Sequence, residues 1–181
     1  SDTGYSASGE SLLPRKFPWS PEKQKEAFKI DGDYELQLVA SEPLIQDPVD
    51  VAWDEKGQMF VAQMSHYPLP TATGKRLSQI RLLKDTNNDG VMDKSFIWAE
   101  DLDQIQNILY MNGGILATTW DKTIFLKDSN GDNKADIQEV VLKYPPAQHN
   151  QLMPSSPHWG IDNQIYFNNG LNLSMLTVND T

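Results

Sequence analysis

An acidic loop of nine residues occurs twice in this chain, and it constrains the fold more than any other feature. The first copy begins at Asp85 and the second at Asp128, which are 43 positions apart. Each copy places side-chain oxygens at positions 1, 3, 5 and 9. With the carbonyl of position 7, this is the spacing by which a tight loop wraps a hard cation. A period near 43 residues is also typical of one β-propeller blade.

The two loops supply oxygen donors suited to calcium. All the donors are oxygens and many come from protein, which favours Ca²⁺ over Mg²⁺. Strands rather than helices are predicted on both flanks, so these are not EF-hands, and a structural role is favoured over a catalytic one. The alternative is a hairpin of Asx turns that holds no metal. The candidate ligands are Asp85, Asn87, Asp89, Val91 (through its carbonyl), Asp93, Asp128, Asn130, Asp132, Lys134 (through its carbonyl), Asp136 and Glu139.

The composition excludes several classes of protein. Lys and Arg number 15 against 25 Asp and Glu, so the formal charge is −10 and the pI about 4.6. Such a surface repels phosphate backbones, so nucleic acid is not an expected partner. The absence of cysteine excludes disulfides, thiolate metal sites and a covalent haem motif in this chain. No apolar run approaches the roughly 20 residues of a membrane span, so none is expected.

Short alternating segments predict an all-β fold. Residues 1–32 are predicted to form an extended arm with one short helix from Ser20 to Ile30. Residues 33–181 are predicted to form a partial β-propeller with four-stranded blades. The predicted strands are 34–38, 49–53, 59–64, 79–84, 95–99, 107–111, 115–120, 123–127, 137–143, 157–160, 164–167 and 173–178.

The order of these strands favours a propeller over a sandwich. Strand, turn, strand, strand, acidic loop and strand occur twice, and a third round opens near Pro157. A propeller closes with about four to eight blades, and this chain holds about two and a half. It is therefore expected to be an N-terminal fragment, because an open array would leave unpaired strand edges. The alternative is a smaller all-β fold that imitates the pattern.

Histidine and tryptophan supply the remaining candidates for chemistry. His149 lies in a connection rich in Pro, Gln and Asn, and His66 follows a buried strand, so both are candidate acid–base residues. His158 is expected to pack against its surroundings. The usual nucleotide, hydrolase and zinc-protease signatures are absent. Core packing is predicted for Trp53, Trp98, Trp120 and Trp159, with a stacking platform for a cofactor or sugar as the alternative.

Several motifs in one order resemble a known family. They are residues 34–49, which include Glu42-Pro43 and Asp47-Pro48, then residues 52–57, Tyr67-Pro68, both acidic loops and residues 159–166. This series resembles the membrane-bound dehydrogenase domain of planctomycetes, Verrucomicrobia and some Bacteroidetes, a propeller similar to glucose and sorbosone dehydrogenases. The resemblance covers about residues 20–178.

The resemblance implies a six-bladed propeller in the periplasm or attached to the cell surface. It also implies oxidation of a sugar or alcohol with pyrroloquinoline quinone (PQQ), with electrons passing to a cytochrome c domain of the full-length protein. His149 is the nearest match to the general base of the related quinone enzymes. Relatives carry Glu and Asp before the Tyr-Pro pair, whereas this chain has Gln63 and His66.

Three functions are therefore open. In the first, the chain is part of a quinone-dependent dehydrogenase, and the isolated 181 residues are expected to be inactive. In the second, it is a non-catalytic, calcium-stabilised module that binds carbohydrate. In the third, it is a structural module whose loops only join blades.

Overall fold

The computed structural model describes residues 19–67, 77–145, 152–168, 170 and, for the backbone, 177–178. Contacts divide the chain into two compact units, Ser1–Leu38 and Val39–Thr181. The elements are α1 (Pro21–Glu26), β1 (Pro48–Trp53), β2 (Met59–Met64), β3 (Ser78–Lys84), β4 (Lys94–Leu102), β5 (Asn107–Met111), β6 (Gly114–Thr118), β7 (Lys122–Lys127), β8 (Ile137–Lys143), β9 (Ser155–Trp159), β10 (Ile165–Asn168) and β11 (Thr177–Val178).

The first unit contains the predicted helix in a shorter form. Ser20 is the N-cap, and its hydroxyl oxygen accepts the Lys23 N–H at 3.3 Å, while Pro21 opens the first turn. The helix ends at Glu26 instead of Ile30, and it is not long and apolar enough to cross a membrane, nor is any other helix in the described ranges. The strand predicted at 34–38 is not formed, because alternation alone provides no neighbouring strand to pair with.

The second unit is built from two antiparallel meanders. The first sheet has the order β1-β2-β3-β4, and the second has β5-β6-β7-β8 with the short β11 added beside β8. Each meander places an acidic loop between its third and fourth strands. Both sheets therefore reproduce the predicted order of strands, and the bounds of β2, β5 and β8 are those expected from the sequence.

A third sheet begins the next round of the same order. β9 and β10 pair antiparallel, with Trp159 opposite Ile165 and His158 opposite Tyr166. β5 lies beside both β1 and β9, so the first strands of the three sheets are neighbours. The fold is thus all-β, with sheets that are consistent with propeller-like blades.

The main core lies between the first two sheets. One face of the first sheet, called here its shared face, contributes Phe60, Ala62, Leu82 and Trp98. The second sheet packs against it with buried aliphatic side chains from β5, β6 and β7. The packing includes an edge-on contact between the rings of Phe60 and Trp98 at 5.1 Å. The members from the second sheet are Ile108, Ile115, Ala117, Ile124 and Leu126.

The opposite face of the first sheet, called here its outer face, is only partly covered. A smaller cluster buries Met59, Val61, Leu83 and Met92 under the segment Val39–Ile45. Several other apolar side chains of this face stay exposed.

The burial of the four tryptophans agrees only in part with the predicted core packing. Trp98 is buried, as expected, and Trp120 is half-buried, but core packing is wrong for Trp53 and Trp159, which are exposed on β1 and β9. Trp53 lies on the outer face, directly opposite Met59, where no described sheet covers it. The type of a residue on a strand does not show whether a second layer of structure covers its side chain.

Candidate functional site

The acidic loops and His66 lie at opposite ends of the first two sheets. In both meanders the third strand runs toward an acidic loop. The strands are antiparallel, so the second and fourth strands run the other way and finish at the opposite end of the sheet. His66 follows β2 at that opposite end, and β8 finishes there at Lys143. We call the two ends of the sheets the acidic end and the histidine end.

At the acidic end, the first loop is folded around the carboxylate of Asp85. Its Oδ1 accepts the backbone N–H groups of Asn87, Asn88 and Asp89, and its Oδ2 accepts that of Gly90 at 2.7 Å. These hydrogen bonds, above all the one from Gly90, lower the pKa of Asp85 below its ordinary 3.8. The carboxylate is therefore charged at neutral pH.

The second loop repeats this arrangement around Asp128. Its Oδ1 accepts the N–H groups of Asn130 and Gly131, and its Oδ2 accepts that of Asn133 at 2.9 Å. Asn133 stands at the position of Gly90, and both residues have a positive φ, at 69° and 87°. Asn replaces Gly here because its short polar side chain tolerates the left-handed conformation.

The last aspartate of each loop closes it by binding the second residue. Asp93 accepts the N–H and hydroxyl of Thr86, and Asp136 accepts those of Ser129, with both hydroxyl distances at 2.6 Å. The Ser129 hydroxyl is the main cause of the lowered pKa of Asp136. Similar side-chain bonds join the third, fifth and seventh positions of the two loops.

The loops have the oxygen donors of a calcium site, but these donors are not grouped into a preformed set of ligands. The donors are hard oxygens, as Ca²⁺ requires. Among the described residues, however, no group of three or more Asp, Glu or His side chains is placed so that it could hold a metal ion. Glu139, the outermost candidate ligand, lies exposed on β8 opposite Phe125. Calcium binding by these loops stays a prediction.

The eighth residue of each loop reaches back to the preceding part of the chain. Ala135 donates its N–H to the carbonyl of Trp98 on β4 at 2.7 Å, and Met92 donates to the carbonyl of Val39 at 2.8 Å. These two bonds were not foreseen from the sequence, which marks the loops themselves but not what they touch.

The second loop makes two further contacts with the first sheet. Lys84 donates to Asn133 Oδ1 at 2.6 Å, and Lys134 pairs with Glu100 at 3.0 Å. The Lys134 pair is exposed and contributes little by itself. Together with the Ala135 bond, however, these contacts join the loop of one sheet to two strands of another.

At the histidine end, the structure places only one of the two candidate catalytic residues. His66 is exposed just beyond β2. His149 lies outside the described residues. His158, on β9, has its Nδ1 3.0 Å from the Ser156 carbonyl, and its ring stacks on Tyr166 at 5.8 Å.

The buried polar side chains of the described chain all lie toward the histidine end. Gln63 is fully buried at the end of β2, where its Oε1 accepts from Gln79 Nε2 at 2.7 Å and its Nε2 has no hydrogen-bond partner. These buried polar side chains were not predicted from the sequence, because hydroxyl and amide residues on strands are usually exposed and their burial cannot be read from the sequence. The set is Gln63, Ser78, Thr118, Thr119 and Thr123.

The first strands of the three sheets are also joined by polar side chains at this end. Asp50 Oδ2 accepts the backbone N–H of Ile108 at 2.9 Å and the side-chain amide of Asn107 at 3.2 Å. Asn107 Oδ1 in turn accepts the N–H of Ser156 at 2.9 Å. The three residues that form this connection occupy equivalent positions on the first strands of successive sheets. They are Asp50 on β1, Asn107 on β5 and Ser156 on β9.

A family described as a domain of unknown function, DUF7133, matches residues 20–181. The chain belongs to this family. The match includes α1, both acidic loops and all three sheets. No curated protein and no solved structure matches the chain.

Proposed function

We propose that this DUF7133 chain is a structural propeller segment in which each acidic loop joins its own blade to the preceding part of the chain. The observation that carries this proposal is the pair of hydrogen bonds made by the eighth loop residue, from Ala135 to Trp98 and from Met92 to Val39. The aspartates hold each loop in the shape that aims this N–H outward. Their position at the acidic end, away from His66, supports a structural role for them.

Thermal unfolding of this chain in EDTA tests the joint. Asp128→Ala removes the acceptor of three backbone N–H groups, so we expect a lower midpoint, and Asp85→Ala is expected to act in the same direction. Glu139→Ala is the control, because Glu139 is exposed on β8 and outside the hydrogen-bonded loop. A midpoint unchanged by Asp128→Ala would contradict the joint.

The same experiment with added Ca²⁺ tests the metal prediction separately. Binding to the folded state raises the midpoint by mass action. A rise that is smaller in Asp85→Ala and in Asp128→Ala, and absent when both are replaced, supports calcium in both loops. A smaller rise in Glu139→Ala assigns that residue as a ligand. No rise in the unaltered chain would leave the joint intact and show the loops to be metal-free Asx turns.

The resemblance of the sequence motifs to the membrane-bound dehydrogenase domain supports a second candidate function. This is a quinone-dependent dehydrogenase of sugars or alcohols located in the periplasm or at the cell surface. The observation that favours it is the buried polar layer beside His66, with one unpaired donor on Gln63. On this proposal His149 is the general base, His66 assists it, and PQQ would accept the hydride before a cytochrome c domain takes the electrons. No described residue is assigned to the quinone.

Dye reduction separates this candidate from a binding module. The polypeptide from the complete reading frame, supplied with PQQ and Ca²⁺, is expected to reduce dye with a sugar or alcohol, and His149→Ala to abolish the reaction. The 181-residue chain alone is expected to be inactive, because a site at a propeller axis needs every blade. Glycan binding without dye reduction would favour the non-catalytic carbohydrate-binding alternative.

A further inference from the structure

The outer face of the first sheet carries a row of exposed apolar side chains. Val51, Trp53 and Ile97 are 49%, 47% and 42% exposed. Val51 pairs with Val61, and Trp53 pairs with Met59. Ile97 is in register with Val61 through β3, so all of these side chains project from one face. Single exposed apolar residues are ordinary, but these three flank the buried cluster of the same face, with Val51 and Trp53 on β1 and Ile97 on β4.

The corresponding row on the second sheet is covered. Ile108 and Tyr110 on β5 occupy the register positions of Val51 and Trp53, because they pair with Ala117 and Ile115 in the same way. Val140 corresponds to Ile97, 43 positions earlier. Ile108 is only 5% exposed, and Tyr110 and Val140 pack against the main core. The same positions are therefore interface in one sheet and open in the other.

A sheet face covers the row on the second sheet. The shared face of the first sheet lies over it, and the ring of Phe60 stacks on Tyr110 with centroids 5.8 Å apart. Trp53 stands where Tyr110 stands, so it offers an aromatic partner of the same kind. The surface thus matches a sheet that carries aromatic and aliphatic side chains in the pattern of Phe60, Leu82 and Trp98.

The segment Val39–Ile45 already fills part of the place of such a sheet. Its Val39 carbonyl accepts the Met92 N–H, just as the carbonyl of Trp98, on the fourth strand of the first sheet, accepts the Ala135 N–H. This segment buries Met59, Val61 and Leu83 but leaves Val51, Trp53 and Ile97 open. It therefore stands where the fourth strand of a preceding sheet would lie.

Arg81 adds a polar requirement to this surface. It lies on the outer face between Val61 and Ile97, where the second sheet has Ile124. Its Nε donates to the Ser95 hydroxyl at 2.6 Å, and it forms no ion pair with a carboxylate among the described residues. A covering sheet that supplied a carboxylate or carbonyl oxygen here would satisfy the guanidinium.

We propose that the outer face of the first sheet binds a further blade of the same repeat, carried by the same polypeptide, and that Val39–Ile45 takes the place of the outermost strand of that blade. The covering strands would present an aromatic ring to Trp53 and an oxygen acceptor to Arg81. The proposal concerns packing and does not depend on the role of the acidic loops.

Hydroxyl-radical footprinting tests the proposal. Trp53 is followed by mass spectrometry in the 181-residue chain and in the polypeptide expressed from its complete reading frame. We expect Trp53 to be oxidised several-fold more slowly in the latter. Trp19, which is 52% exposed in the first unit, serves as the reference for radical dose.

A paired substitution supplies the second measurement. Trp53→Ser is expected to lower the thermal midpoint of the complete polypeptide while leaving that of the 181-residue chain nearly unchanged, because Trp53 is exposed there. Equal oxidation of Trp53 in the two polypeptides, or a reading frame that encodes no further sheet, would overturn the proposal. Protection that appears in the 181-residue chain as its concentration rises would instead indicate a second copy, and it too would overturn the proposal.

Discussion

At the scale of single residues, aspartates in this domain act mainly as acceptors for backbone N–H groups. Asp85 and Asp128 each hold a loop in this way, and Asp50 holds the first strand of the neighbouring sheet. A carboxylate suits the task because one charged oxygen can bind several donors in a fixed geometry. The acidity of the chain is therefore partly a structural device.

Asp50→Ala is expected to weaken the junction of β1 and β5. The substitution leaves the Ile108 N–H without its acceptor at a half-buried site, which costs roughly 1–3 kcal/mol in the free energy of unfolding. Urea unfolding measures the loss. Asp50→Asn retains an acceptor oxygen and should lose less, and equal losses in the two variants would contradict the role assigned to the oxygen.

Acid is expected to destabilise the domain through the loop aspartates. The pKa of Asp85, and likewise that of Asp136, is lowered in the folded state by hydrogen bonds, so the unfolded chain binds protons at a higher pH than the folded chain. The stabilisation is present above the ordinary pKa of 3.8 and is lost as the pH falls below it.

Thermal midpoints measured from neutral pH to the acid side of 3.8 check this expectation. Asp85→Asn, which cannot titrate, should have a lower midpoint at neutral pH and a flatter acid branch. The same steep acid branch in this variant would show that other carboxylates control the response.

At the scale of elements, β6 depends on a close approach that only glycine permits. A Cβ on Gly114 would meet the Leu126 carbonyl and lie 2.8 Å from the Phe125 ring. Gly114 follows the turn at Asn112 and Gly113, which both have positive φ, as a tight hairpin turn requires. The pairing of β6 with β7 therefore leaves no room for a side chain at this position.

Gly114→Ala is accordingly expected to destabilise the domain by roughly 1–3 kcal/mol, because the backbone of β7 must shift. Chemical unfolding of the variant gives the value. Gly32→Ala is the matched control, since nothing lies within 4 Å of a Cβ at Gly32, and it should change stability by no more than about 0.5 kcal/mol. Similar values for both variants would rule out the clash.

At the scale of the whole molecule, the first two sheets share one core and should unfold together. Trp98 lies in that core, and its carbonyl also accepts the loop bond from Ala135. Trp98→Ala should therefore lower stability by roughly 3–5 kcal/mol. Hydrogen exchange is expected to lose protection equally in β2 and in β6.

Trp19→Ala is the matched control for this prediction, because Trp19 is exposed. Its effect should stay within about 0.5 kcal/mol. Loss of protection confined to the first sheet in Trp98→Ala would show that the two sheets are independent units.

The sequence by itself determined the repeat, the order of strands and the acidic loops. Alternation and turn residues are local properties, so β2, β5 and β8 could be bounded from the chain alone. Local signals failed where a neighbour decides the outcome. The segment 34–38 alternates but finds no partner strand, and Trp53 has core character but no described sheet above it.

Only the tertiary structure decided what these elements touch. The bond from Ala135 to Trp98, the acceptor role of Asp50 and the burial of Gln63 each join residues that are distant in the chain or lie in different layers. Sequence patterns report which side of a strand is apolar, but not which surface lies opposite. That depends on how whole sheets stack, and stacking is set by the summed packing of many residues.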